Sequence, residues 1–186
     1  MPGFTSNRYT GPAILLHWLI FALIACGFML AVYMVDLPLS PQKLKYFSWH
    51  KWIGVTVFLL AVARLAWRLT HHAPPLPESL PAWQRRAAAI THAILYALIL
   101  VIPLTGWIYS SAAGVPTVYL GMAQLPDLLA KDKALAEQLK LVHITLNYTM
   151  LTLIVIHAAA ALKHHFVDRD EVLARMLPFV KSRGEQ

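Results

Sequence analysis

Four of the histidines that stand inside apolar stretches, where an ionisable side chain is costly and needs a reason, fall at matched depths. His143 and His157 share one stretch, Leu139–Phe166, and are fourteen residues apart. At about 100° per residue, fourteen steps fall roughly 40° short of whole turns, so both rings leave a helix from nearly one face. At 1.5 Å per residue they are about 21 Å apart along the axis, most of the ~30 Å hydrocarbon thickness of a bilayer. His17 lies just inside the first apolar run and His50 just inside the second. In a chain that crosses four times, His17 falls at the depth of His157, and His50 at the depth of His143. Neutral imidazole is a good iron ligand, and facing helices of a bundle are where haem is held through two axial histidines. Two matched pairs therefore predict a transmembrane electron path.

The elements that must position these rings are membrane helices. The chain has 186 residues, 58% hydrophobic and 13% charged, with mean hydropathy +0.56; a soluble domain carries nearer 25% charge. Pro12 suits a helix start, and the first span covers Ala13–Val35, too long for the 7–15-residue core of a signal peptide. Phe47–Leu69 is the second span, with Trp49 and Trp52 suited to the interface belt. Ala87–Tyr109 is the third, with Pro103 expected to kink it, and Leu139–His165 the fourth. The fold class is thus all-α, an integral membrane four-helix bundle forming a single domain. Asp36–Lys45 is read as a short loop. Thr70–Pro81, with Pro74, Pro75, Pro77 and Pro81, is read as an extended linker. Ser110–Gln138 is the longest connection, with a short surface helix over Asp132–Gln138, and a basic tail follows from Lys163 to Gln186.

Four spans put both termini on one side. Arg8, Arg64, Arg68, Arg85, Arg86, Lys163, Arg169, Arg175, Lys181 and Arg183 belong to that side, and Lys43, Lys45, Lys51, Lys131, Lys133 and Lys140 to the other. Ten against six favours cytoplasmic termini. The net charge of +7 is spread at the flanks of apolar runs and forms no single patch, which excludes a nucleic-acid reading. The lone Cys26 excludes an intramolecular disulfide and any Cys-cluster metal site; it is read as an apolar filler. No pair of carboxylates occurs within a span, which argues against a proton-coupled transporter, and no P-loop or GxGxxG motif is present.

Around the four histidines other residues take roles. Gly54 follows His50 by four positions, on the same face, where a missing side chain lets a porphyrin approach. Arg64, fourteen residues beyond His50, faces the bundle at the inner depth, where a haem propionate partner is its natural role. His92 has no fifth partner; it is read as a hydrogen-bond partner of a propionate or quinone, or as structural. His71, His72, His164 and His165 are read as surface residues, and Arg68 as a snorkelling one. The outer lysines would attract an anion, partly offset by Asp127, Asp132 and Glu137. Lys51, beside His50, is read either as a substrate-guiding residue or as a snorkelling interface lysine.

At these residues the chain resembles the bacterial cytochrome b561 family of four-helix, dihaem membrane proteins. The resemblance is carried by His17-Trp18-Leu19; by His50 with Gly54 and Arg64; by His92 with Tyr96, Pro103 and Gly106; and by the run His157–Phe166 (HAAAALKHHF), ending in Arg175-Met176-Leu177-Pro178. It implies two b-type haems ligated by His17/His157 and His50/His143, in agreement with the depths, and residence in the bacterial inner membrane. It also implies an activity, that of a superoxide oxidase: superoxide is oxidised to dioxygen at the outer, periplasmic face, and the electrons pass to ubiquinone. The competing class is a non-catalytic cytochrome b subunit that links a soluble redox partner, such as a dehydrogenase or hydrogenase, to the quinone pool. A histidine-based metal or proton transporter is a third class, and it predicts a colourless protein.

Overall fold

The computed structural model describes residues 8–71, 73–75 and 80–178. His72, Pro77, Lys181 and Arg183 of the sequence reading lie outside the described residues. Four long helices carry the fold: α1 (Gly11–Val35), α2 (Pro41–Thr70), α3 (Ala82–Ala112) and α4 (Lys133–Lys163). All four are long and apolar enough to cross a membrane. In lipid a helix satisfies every backbone N–H and C=O within itself, so this is the element such runs must form.

The helices run past the expected spans, because an apolar window measures bilayer thickness and caps set where a helix ends. α2 starts at Pro41, with the Ser40 hydroxyl accepting from the Lys43 N–H at 3.2 Å, so the expected loop Asp36–Lys45 shrinks to its first half. Pro41 occupies a first-turn position whose N–H would be unpaired anyway. The surface helix expected over Asp132–Gln138 is instead the opening of α4, with the Asp132 carboxylate accepting from Leu135 N–H at 3.0 Å. At 1.5 Å per residue, the 30 residues of α2 span about 45 Å, well beyond the hydrocarbon core.

Large apolar side chains face outward along the helices: Leu15, Met29 and Val155 are each 60% exposed or more. That is an apolar surface for lipid tails. Inside, Ala61, Leu98, Ile99, Ile102 and Met150 form a buried cluster between the two histidine levels. α1 packs along α2, α2 along α3, and α3 along α4. α1 and α4 scarcely approach each other; Phe28 and Tyr148 meet edge to face across this seam at 5.7 Å. The bundle is thus a set of helix pairs with a slot between its first and last members.

The end that carries both described chain ends is called inner, and the other outer. Arg8 near the start donates to the Leu177 carbonyl near the end at 2.6 Å. The outer connection between α3 and α4 holds a small hairpin, β1 (Val118–Tyr119) and β2 (Ala123–Gln124), pairing Val118 with Gln124 and Tyr119 with Ala123. Within its three-residue loop, Leu120 and Gly121 are the central residues of a turn closed by the Met122 N–H to the Tyr119 carbonyl at 3.0 Å, and both take left-handed backbone, with φ of 53° and 72°. At the inner end α4 passes into a π-helical turn (His164–Asp168), and a single 3-10 turn follows at Ala174–Met176.

Candidate functional site

The helices bring the four histidines into two pairs. His50 of α2 faces His143 of α4 with ring centroids 6.4 Å apart and planes at 89°. His17 of α1 faces His157 of α4 at 6.4 Å and 72°. An iron between two imidazoles needs about 2 Å to each nitrogen, and each ring centre lies about 1.2 Å behind its nitrogen, which sums to about 6.4 Å. Both pairs have the separation that axial ligation demands. His92 does not: its centroid is 5.1 Å from that of His157, too close for a metal between them.

The outer pair is oriented by its neighbours. His50 Nδ1 lies 3.1 Å from the Gly27 carbonyl oxygen, which can only accept, so Nδ1 carries the proton. His143 Nδ1 lies 2.9 Å from the Thr105 hydroxyl, whose own proton goes to the Ile102 carbonyl at 2.7 Å. Thr105 therefore accepts from His143. In both rings Nε2 is left with its lone pair, the state a metal ligand needs, held by a partner on the far nitrogen. Gly106 lets the His143 ring settle onto α3: a Cβ there would stand 3.0 Å from Cε1 of His143. A partly open cavity of about 60 Å³ lies against the pair, with walls from all four helices that include Phe28, Gly54, Pro103 and Asn147. No atom lies within 4 Å of where a Gly54 Cβ would be, so the space expected above this glycine is present. These residues fit a haem held between His50 and His143.

The inner pair is surrounded by positive charge. Arg64 Nη1 donates to His17 Nδ1 at 3.0 Å, and Arg64 and Arg68 both lie over the Tyr96 ring, at 5.3 and 5.5 Å. A small pocket opens beside them, walled by Tyr9, Thr10, Trp67, His71 and Tyr96 among others, with no carboxylate among the described residues that line it. Two guanidiniums facing an aromatic wall are suited to anionic groups such as haem propionates. Arg68, read as snorkelling, stands at the same pocket. His71, placed in the linker as a surface residue, is the residue after α2 and stacks on Trp67 at 3.9 Å. His164 is less exposed than its reading as a surface residue predicts; its Nδ1 is 2.7 Å from the Asp170 carboxylate.

Lys51 spans to the outer connection. Its Nζ donates to the carbonyls of Val115 and Pro116, both at 3.1 Å, next to Trp52 donating to Val118 O at 2.7 Å. Lys43 is similarly engaged with the carbonyls of Val35 and Leu37. Sequence reasoning missed Gly27 and Thr105, whose oxygens orient the outer rings, and gave Gly106 no role. Only Thr105 had a signal, a polar residue in an apolar helix near a proline.

Comparison with known proteins agrees with this geometry. The family described as prokaryotic cytochrome b561 matches residues 8–179. Cytochrome b561 homolog 2 of Escherichia coli (strain K12) is 34% identical over 181 residues, covering 93% of each chain. Cytochrome b561 homolog 1 of the same organism is 30% identical over 173 residues, covering 92% of this chain and 98% of its own. A probable superoxide oxidase CybB of Yersinia pestis is 28% identical over 183 residues, covering 96% and 99%. With a match along nearly the whole chain and paired imidazoles at iron-spanning distance, the chain belongs to the prokaryotic cytochrome b561 family of haem-binding membrane electron-transfer proteins.

Proposed function

We propose that the protein oxidises superoxide at its outer, periplasmic end and delivers the electrons to ubiquinone, with both termini in the cytoplasm. The observation that carries this reading is the pair of imidazole couples, each 6.4 Å across, one towards each end of the bundle. Haem held by His50/His143 and by His17/His157 supplies two one-electron carriers in series across the membrane. In sum, two superoxide anions give two dioxygen molecules, and one quinone with two protons becomes quinol.

The protein's own residues account for the selectivity of such a reaction. A haem held by two histidines at each site would offer no open iron position, which would disfavour dioxygen binding and favour electron transfer without ligation. Lys51 keeps a positive charge at the outer end while two of its three N–H groups bind carbonyls. We assign it to guiding the anion by its field, without direct chemistry at the substrate. Arg64 keeps its charge at the inner end, in the pocket it shares with Arg68, where it favours an electron on the inner side. His92, 5.1 Å from His157, is assigned to hydrogen bonding beside the inner site.

Stopped-flow haem spectra of the purified protein mixed with superoxide, with and without quinone, test the reading. Rapid reduction followed by quinone-dependent reoxidation is expected. A dihaem spectrum that superoxide leaves oxidised would overturn it in favour of the electron-transfer subunit. One observation favours that second reading: the relatives at 34% and 30% identity carry cytochrome names alone, and a superoxide name appears at 28%.

A further inference from the structure

The inner ligands come from α1 and α4, which, like α2 and α4 at the outer end, scarcely approach each other. Apart from the Phe28–Tyr148 contact, little in their own packing sets the 6.4 Å between His17 and His157. The chain beyond α4 does connect them. It turns back through the π-helical segment, where the Asp168 carboxylate takes Lys163 at 2.6 Å and His164 at 3.1 Å. Arg169 reverses the direction with φ of 54°, and Asp170 accepts from the Val172 N–H at 2.9 Å. The returning segment then docks on the start of the chain. Trp18 Nε1 donates to the Met176 carbonyl at 2.8 Å, and Arg8 to the Leu177 carbonyl at 2.6 Å. Arg175, only 9% exposed, donates to the Pro75 carbonyl at 2.7 Å. Trp18 is the residue after His17, and its ring meets the His17 ring edge to face at 5.4 Å.

We propose that the segment Leu173–Pro178 is a strap that ties α1 to the end of α4 and thereby fixes the His17–His157 spacing, with Trp18 and Arg175 as positioning residues for the inner site. The proposal rests on the dihaem reading. It explains why a tail with no residue in either histidine pair makes three side-chain-to-backbone bonds across more than 90 residues of sequence. The outer pair needs no such strap: its rings are held by Gly27, Thr105 and Gly106, on α1 and α3 between the helices they join.

Carbon monoxide reports the spacing, because it binds ferrous haem only where an axial ligand has let go. In the dithionite-reduced wild-type holoprotein no haem should take CO. A chain stopped after Asp170 keeps the turn and loses the strap; about half of its haem should bind CO, with the remainder bis-histidine. Loss of one haem outright, with the other inert, supports the strap equally. Trp18→Phe keeps an aromatic ring and removes the donor; it should shift one of the two ferric low-spin EPR signals and leave the other, the shifted one being that absent in His17→Ala. Two CO-inert haems with unchanged EPR in the stopped chain overturn the proposal. So does CO binding at both haems together, which marks general loosening. A wild-type protein without two bis-histidine haems would instead remove the dihaem reading.

Discussion

The outer and inner histidine pairs share one separation, 6.4 Å, and differ in almost everything that holds it. At the outer end His50 and His143 each donate the Nδ1 proton to an oxygen fixed in a neighbouring helix, so Nε2 keeps the lone pair a metal ligand needs. At the inner end His17 Nδ1 accepts a hydrogen bond from Arg64, which has no acceptor atom of its own; a neutral ring then carries its proton on Nε2. Ligation there requires Arg64 to turn from His17, and the pocket it shares with Arg68 gives it somewhere to turn. The outer pair is preset by packing, whereas the inner pair is set by charge and by a strap. An arrangement with more positive charge at one end also lowers the energy of an electron there, so in the proposed function the same difference would incline electrons inwards.

The largest break in this comparison comes from the ligands. His50→Ala or His143→Ala is expected to remove the outer haem and keep the inner, and His17→Ala or His157→Ala the reverse, each halving the haem-to-protein ratio. Two intact haems in any of them would undo the pairing. Next is Gly106→Val, whose side chain enters the space of the His143 ring; the outer haem should be lost or high-spin by absorption and EPR, with the inner spectrum unchanged. Thr105→Val removes the hydroxyl that accepts from His143 Nδ1, and outer-site haem affinity, measured by transfer to apomyoglobin, should fall about 10–100-fold. Arg64→Gln removes charge from the inner site alone. In a spectroelectrochemical titration the ratio of reduced inner to reduced outer haem should fall about tenfold, 59 mV for one electron. The smallest effect is that of Lys51→Gln: the superoxide rate should drop severalfold at low salt and recover towards wild type at high salt. A drop independent of salt would point to the lost carbonyl contacts at Val115 and Pro116, and away from steering.

Much of this was legible in the residues. Apolar runs set the four helices, because lipid leaves the backbone no other choice, and the fourteen-residue step from His143 to His157 placed one ring at each depth. Helix ends were misjudged at Pro41 and Lys133, where Ser40 and Asp132 cap helices outside the apolar windows. Helix pitch and bilayer thickness are local properties, so the sequence alone determined which histidines share a level. The orienting partners depended on how the helices rotate against one another. Only the tertiary structure brought the Gly27 carbonyl to His50, Thr105 and Gly106 to His143, Arg64 to His17, and Met176 to Trp18. Such contacts join residues 23 to 158 positions apart, and no periodicity within one helix encodes the rotation of its neighbour.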